Sequence, residues 1–413
     1  MRDTQPSFFI GLDIGTSAVR CVVGTLDATR DEPIVSVVGH GMAENTGMKK
    51  GLVAHVEEVA NAINQAVTEA ERIAGIRIHE ATVNVNGVHV SGLDSKGVIA
   101  ISAANREITG EDKSRVEEAA TIVQIPSNKE IIQVFPKNYR VDGHESIKDP
   151  RGMRGVRLEV DAHIVIASTP NLRSLDAVLD KVHIQSMHHT VSGLAAAEAI
   201  LSRDQKEAGT LVMDIGASTT NLAIIEDGEV QHISVIPMGG INVTNDLAIG
   251  LKTELEIAEM VKVKHASLSG QSKKDKVSVQ HGSKNHVFDS EEVAMITEAR
   301  VDEIFEYVEK ALKKIHKFQK LPGGIVIVGG TANIPGIAQL AKDKLGLAAR
   351  VGKVNSSLSG IVDDIQDPSF VTAIGLMELD MIFKEQEVVS YDGNVFSDSF
   401  MGFLGNLFNR IKS

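Results

Sequence analysis

The sequence predicts an α/β protein built as two lobes of one design, with a smaller α+β insert. Three observations carry this. Two stretches read alike: "FFIGLDIGTSAVRCVVG", residues 8–24, and "GTLVMDIGASTTNLAII", residues 209–225. Each is an apolar strand, then Asp-Ile-Gly, small hydroxyl residues and a second apolar strand, which is the pattern of a hairpin with a polar, Gly-containing turn. Helices alternate with strands through the rest of the chain. A block of strands around a single helix, residues 82 to about 165, separates the two repeats and reads as an insert.

Taken in order, the first hairpin is followed by "GLVAHVEEVANAINQAVTEAERIAG". Val53, Val56, Ala60, Ile63, Val67 and Ala70 share one stripe at helical spacing. Residues 82 to about 165 read as the insert: strands "ATVNVNGVHVSG" and "GVIAIS", a helix, then "KEIIQVFPKNYRV" and "VRLEVDAHIVIAS". Thr109 with Asp112 gives that helix a capping box. After the second hairpin, residues 266–286 are polar and Gly/Ser-rich, as in a mobile loop or hairpin tip. In "SEEVAMITEARVDEIFEYVEKALKKI" the stripe Val293, Ile296, Val301, Ile304, Phe305, Val308 and Leu312 reads as core. "GGIVIVGG" is a short buried-type strand ending in Gly329-Gly330. Pro335 then opens the helix "GIAQLAKDKLG", closed by Gly346.

With 413 residues, more than one domain is expected. Apolar residues at 43% and charged residues at 23% are a globular composition. A net charge of −13 argues against a nucleic-acid partner, which needs a basic face. The single cysteine, Cys21, leaves no internal disulfide and fits a reducing compartment. The first apolar run is short and broken by Gly11 and Asp13, unlike a signal peptide. No segment has the roughly 20 apolar residues of a spanning helix, so any membrane contact is peripheral. The 14 histidines form no HExxH pattern.

There is no G-x-x-x-x-G-K-[ST] and no G-x-G-x-x-G loop. The two Asp-x-Gly turns offer another phosphate site. A tight glycine turn aims backbone N–H groups at phosphate oxygens, and the hydroxyls add donors. One carboxylate per turn suits Mg2+, held through a few carboxylates, phosphates and water. The turn Gly329-Gly330-Thr331 would let a flat ring approach the backbone. Each turn alone is also an ordinary hairpin. The ordered set is what argues for a site.

These motifs resemble the ordered signature of the actin-like ATPase superfamily. "GLDIGTS" and "LVMDIGASTTN" look like its two phosphate motifs, and "VSGLAAAEAI" and "FVTAIGLM" like its connecting motifs. "GGIVIVGGTANIPGI" looks like the adenosine motif. Within the superfamily the chain is most similar to the bacterial cell-division FtsA family, through "VIPMGGINVTNDLAIGLKTELEIAEMVK", the insert and the terminal tail.

The resemblance implies an actin-like (ribonuclease-H-like) fold that binds ATP between its lobes. Asp13 and Asp214 would lie near Mg2+. Gly15, Thr16, Ser17, Gly216, Ser218 and Thr219 would surround the phosphates. Glu259 and Lys262 would lie near ribose and base, opposite Gly329, Gly330 and Thr331. Subdomain 1A would comprise 1–81, completed by about 166–192 and 356–384, with 82–165 as the inserted subdomain 1C. Subdomain 2A would comprise 193–240 and about 318–355, 2B 241–317, and a linker 385–398. The implied role is to tether FtsZ, by its C-terminal peptide, to the cytoplasmic face of the inner membrane at the septum. Self-association and recruitment of other division proteins would accompany it. Arg300 matches a basic residue that relatives use against the acidic peptide, yet Glu303 and Glu306 could also pair with it as surface neighbours. Two departures stand out. Ala217-Ser218 replaces a frequent Gly-Gly, which would be unfavourable where φ > 0 is needed. Ser192 stands near the position of a Glu or Gln in relatives that hydrolyse ATP well, so hydrolysis is expected to be slow. The competing class is a small-molecule kinase or phosphatase of the same superfamily.

The tail "SFMGFLGNLFNRIKS" spans 399–413. At about 100° per residue, Phe400, Phe403, Leu404, Leu407, Phe408 and Ile411 cluster on one face. Arg410 and Lys412 suit the end of such a helix and an anionic membrane surface. A core helix and a partner's docking helix give the same pattern. The polar linker and the family resemblance favour a membrane-targeting helix.

Overall fold

A computed structural model of the chain describes residues 7–27, 34–102, 104–268, 275–354 and 358–391. Each lobe is built on one sheet. The first has six strands in the order Gln185–Val191, Glu80–Val85, Phe8–Ile14, Ala18–Asp27, Ile34–Glu44, Ser359–Gly360. The second has five: Glu229–Ile236, Thr220–Glu226, Thr210–Ile215, Gly324–Val328, Ala349–Val351. In each, the strand bearing the aspartate opens an antiparallel three-strand meander and pairs in parallel with a later strand on its other side. The two repeats in the sequence are therefore the same corner of two like sheets.

Two helices, Ser192–Ile200 and Val371–Tyr391, pack together between the sheets. Leu194, Ala195, Ala197, Ile374 and Leu376 share one core with Leu12 and Val83 of the first sheet and Val212, Ala223 and Val326 of the second. The apolar run "GLAAAEAI" is buried all round because it has a sheet or helix on every side. On the outer face of the first sheet the helix Val56–Ala74 buries Ala60, Ile63, Val67 and Ala70. Val53 and Val56 leave the expected stripe. Val53 lies in a separate short strand, and Val56, the first helical residue, is exposed.

The insert is a four-stranded sheet, ordered Ser91–Ala100, Arg157–Ser168, Lys129–Val141, His144–Ile147, with the helix Gly110–Ala120 against it. Its core of Val116, Ala120, Leu158, Val160 and Ile164 is separate from those of the lobes. The capping box of Thr109 and Asp112 is formed. The expected start at residue 82 is corrected. Thr82 and Val83 pair with Gly11 and Leu12, so Glu80–Val85 belongs to the first lobe. Buried on both faces, that strand lacks the alternation that separates a central strand from a peripheral one.

The outer part of the second lobe carries helices Gly240–Gly250, Leu255–His265 and Ser290–Lys314 and a hairpin, Lys276–His281 with Lys284–Asp289. The hairpin overlaps the polar stretch 266–286 expected to form a tip and runs three residues past it, to Asp289. Val293, Val301, Ile304, Phe305, Val308 and Leu312 are buried, and Ile296 is half-buried. The helix Ile337–Leu345 ends on Gly346 in the left-handed conformation.

The linker assignment is corrected at its start, because helix Val371–Tyr391 runs through residues expected to be linker. Lys384, Glu385, Gln386 and Glu387 are good helix formers, so the polar character that suggested a linker does not end the helix. The rest of the linker and the tail, with Phe400, Phe403, Leu404, Leu407, Phe408, Arg410, Ile411 and Lys412, lie outside the described residues. Among the described residues no helix is long and apolar enough to cross a membrane.

Candidate functional site between the lobes

A cavity of about 630 Å³ opens between the two hairpin turns. That volume lies within the range of small-molecule and cofactor sites. Asp13, Gly15, Thr16, Ser17, Asp214, Gly216, Thr219, Glu259, Lys262, Gly329, Gly330 and Thr331 all line it. Ser218 stands just behind, its Oγ 2.8 Å from Thr16 Oγ1, so a hydrogen bond joins the two turns. Nearly every residue expected at a nucleotide is thus brought to one place.

The two turns have the same construction. Gly15 N donates to Ala18 O at 3.1 Å, and Gly216 N to Thr219 O at 2.9 Å. Asp13 pairs across its hairpin with Arg20, and Asp214 with Asn221. Ala217 and Ser218 are not among the residues with positive φ, so replacing Gly-Gly costs no backbone strain here. The carbonyls of Gly216 and Ala217 accept the first amides of the helix Gly240–Gly250, from Gly240 at 2.9 Å and Ile241 at 2.7 Å. The start of that helix, Gly240 and Ile241, thus braces the turn and lines the cavity beside it.

Both aspartates are 7% exposed. Asn84 Nδ2 donates to Asp13 Oδ1 at 2.5 Å and to Ser192 Oγ at 3.1 Å, while Asn84 Oδ1 accepts from Ile14 N at 2.7 Å. Asp214 accepts from Asn221 and Thr372, each at 3.4 Å. Burial pushes the Asp13 carboxyl up to about 7; Arg20 opposes this and Asp214 adds to it. Burial pushes Asp214 up to about 6, opposed by Asn221, Thr372 and Arg20. Two carboxylates that burial makes costly to ionise are a natural seat for a divalent cation. Among the described residues no group of three or more His, Cys, Asp or Glu could hold a metal by itself. A donor set of two carboxylates fits Mg2+, which keeps waters and takes phosphate oxygens.

The opposite wall is polar. Lys262 Nζ donates to Glu259 Oε2 at 2.6 Å, Thr244 Oγ1 at 2.8 Å and Gly240 O at 3.2 Å. Thr331 Oγ1 donates to Gly216 O at 3.1 Å. Gly329 has φ 86°, and a Cβ there would stand 2.5 Å from Asp214 Oδ1. Beside Gly330 nothing lies within 4 Å of where a Cβ would be, which leaves room for a ring against the backbone.

Sequence reading missed four residues here: Arg20, Asn84, Asn221 and Thr372. Arg20 lines the cavity, its Nε is buried without a partner among the described residues, and its guanidinium lies 5.5 Å from the Phe370 ring. A polar residue inside a buried strand was the available signal for Asn84. Ser192 is fully buried and bonded to Asn84. Arg300 lies away from the cavity. It is bidentate to Asp246, at 2.5 and 3.0 Å, and reaches Glu303 at 2.5 Å. Glu306 pairs instead with Lys310 at 3.8 Å.

Comparison with known proteins agrees with this geometry. A family model described as Cell division protein FtsA matches residues 211–375, and one described as SHS2 domain inserted in FTSA matches residues 87–166. The chain is 37% identical over 374 residues to Cell division protein FtsA of Bacillus subtilis (strain 168), covering 90% of this chain and 82% of that one. It is 34% identical over 372 residues to the protein of the same description from Pseudomonas aeruginosa, covering 89% and 88%. Among solved structures, a PilM-PilN type IV pilus biogenesis complex aligns with TM-score 0.64 at 17% identity, covering 90% of this chain and 98% of that chain. MreB5 of Spiroplasma citri bound to ADP aligns with TM-score 0.54 at 14% identity, covering 94% and 99%. These likenesses establish the actin-like fold, and the matched domain from residue 87 agrees with an insert that begins after Val85. The sequence matches go further: the chain belongs to the FtsA family of cell-division proteins.

Proposed function

We propose that this chain is an ATP-binding, actin-like adaptor of the division septum. It anchors FtsZ to the cytoplasmic face of the inner membrane, self-associates and helps recruit other division proteins. The observation that carries the nucleotide part is the pair of in-register Asp-Ile-Gly turns facing one cavity of about 630 Å³. Asp13 and Asp214 would hold Mg2+, which when bound supplies positive charge against the phosphates. Backbone amides and hydroxyls of the two turns bind the phosphates, and Arg20 adds a fixed cation. Glu259, Lys262 and the Gly329-Gly330 turn orient the nucleoside. Ser192, buried and bonded to Asn84, has no basic group to give a water, which supports slow hydrolysis.

The tail supplies the membrane contact in this reading. Arg410 and Lys412 contribute about 2 kcal/mol near anionic lipid at most, and the inserted apolar side chains several more. One tail is a reversible anchor, and a polymer of tails holds far longer through effective concentration. An acidic FtsZ peptide at Arg300 would have to exchange with Asp246 and Glu303, so any gain there is a difference between carboxylates. The test is calorimetric titration with ATP, with and without Mg2+, alongside co-sedimentation with anionic liposomes. Asp214→Asn should remove the Mg2+ dependence of ATP binding. Phe403→Glu with Phe408→Glu should release the protein from liposomes and leave ATP binding intact. ATP affinity indifferent to Asp214→Asn sinks the cleft assignment, and persistent sedimentation of the tail variant sinks the anchor.

A further inference from the structure

The insert is joined to the rest of the chain through the first lobe, by Glu80–Val85 before it and Thr169–Lys181 after it. Its sheet nevertheless packs against the second lobe's edge strand, Glu229–Ile236. At that contact lies His163, fully buried on the strand Arg157–Ser168. The amide of Ile233 donates to His163 Nε2 at 3.0 Å. A backbone N–H can only donate, so Nε2 carries the lone pair and Nδ1 carries the proton. Nδ1 lies 2.8 Å from Asp94 Oδ1, an acceptor that fixes this tautomer. Lys137 Nζ reaches the same carboxylate oxygen at 2.7 Å. The fit is close: a Cβ on Gly92 would collide with the His163 ring and crowd the Ile233 carbonyl.

We propose that His163 is a latch that fastens the insert to the second lobe, and that protonation of its imidazole opens it. In the imidazolium both ring nitrogens bear protons, so Nε2–H would face the Ile233 N–H and the bond becomes a repulsion. The latch spans elements that the chain places in different lobes. Any rotation of the second lobe's edge strand relative to the insert must break it. The inference goes beyond the nucleotide and membrane roles and depends on neither.

The groups that face His163 are Asp94 from Ser91–Ala100, Lys137 from Lys129–Val141 and His232 from Glu229–Ile236. The His232 ring lies 5.1 Å away, tilted by 56°, and Lys314 from the helix Ser290–Lys314 acts on it in turn. Burial holds His163 below the ordinary histidine value, and Asp94 opposes that shift. Burial, with His163, also holds His232 down, at about 4. A histidine whose folded value is depressed contributes stability that is complete above the unfolded value, near 6.5, and is lost as pH falls toward the folded one. The latch is therefore closed at neutral pH and opens on acidification.

Hydrogen–deuterium exchange of the intact protein, followed on the peptide covering Glu229–Ile236, tests this. Rates are divided by the intrinsic exchange rate at each pH. Between about pH 8 and pH 5 the wild-type peptide should lose about tenfold protection, the worth of one hydrogen bond. His163→Gln places an acceptor oxygen near Nε2 that does not titrate, so protection should persist and become independent of pH. His163→Leu should lose it at every pH. A flat wild-type profile overturns the proposal without recourse to any variant. So does a folded His163→Leu protein with wild-type protection, or a His163→Gln protein that keeps the pH dependence.

Discussion

Asp13 and Asp214 occupy the same register of the same hairpin, yet different neighbours hold them. Asp13 faces Arg20 across its hairpin and takes a short hydrogen bond from Asn84 on the adjacent parallel strand. Asp214 faces Asn221, takes two long bonds, and has a glycine turn, Gly329, where the first lobe has the continuing strand. The first lobe thus fixes its carboxylate with side chains, and the second leaves space beside it. A repeated backbone supplies twin Asp-Ile-Gly turns. The departures from symmetry fix one carboxylate with side chains and leave space beside the other, where the proposed nucleoside would lie.

The space at Gly329 gives the largest expected effect. Its φ of 86° disfavours any side chain, and a Cβ would meet Asp214 itself. Gly329→Ala should lower ATP affinity by about a hundredfold or more and destabilise the fold by about 1–3 kcal/mol. Gly330→Ala, with open space around it, should fold like the wild type. Calorimetry and thermal melts measure both. Equal stability losses in the two variants would erase the distinction between them.

The carboxylates come next. An aspartate whose folded value is raised contributes stability that is complete below its unfolded value, near 3.8, and is lost as pH rises through about 7 for Asp13 and about 6 for Asp214. Without nucleotide, Asp13→Asn should raise Tm at about pH 8, by the equivalent of a few kcal/mol, with the gain shrinking toward pH 4. Asp214→Asn should do the same less strongly. Both should weaken binding of Mg2+ with ATP, the expected trade between stability and function. A larger gain from Asp214→Asn would reverse the inferred order of burial costs.

Asn84 against Asn221 is a milder contrast. Removing Asn84 strips the partner from the buried Ile14 amide, so Asn84→Ala should cost about 1–3 kcal/mol. Asn221→Ala loses one 3.4 Å bond and should cost under about 1 kcal/mol. Denaturant unfolding curves read both.

These residues also show where the sequence was legible. The turns were, because strand, Asp-Ile-Gly and hydroxyls are all local and occur twice. The order of Gly329-Gly330-Thr331 after them was local too. Asn84 was not, because a strand buried on both faces has no alternation, and "ATVNV" read equally well as part of the insert. Thr372 and the pair Arg300–Asp246 were not, because their partners are distant in sequence and met only on folding. The extension of the last helix to Tyr391 is not legible in the sequence, because the polar residues there suggest a break. Helix ends follow propensity and capping as well as polarity.

The bond between the turns is a similarly small effect and the sharpest test of whether the hairpins act as a pair. Gly51 N donates to Thr16 Oγ1 at 3.2 Å, so the Thr16 hydroxyl proton is free to point at Ser218 Oγ, 2.8 Å away. Thr16→Val keeps the side-chain shape and removes both interactions. Ser218→Ala removes only the bond between turns. Each loss should be about 0.5–1.5 kcal/mol, with Thr16→Val the larger because it also leaves the Gly51 amide unpaired. The double variant should fall short of the sum by about 1 kcal/mol, the share counted twice. Unfolding of all four proteins without nucleotide closes the cycle. Additivity within about 0.3 kcal/mol would mean that the two turns are neighbours without being coupled.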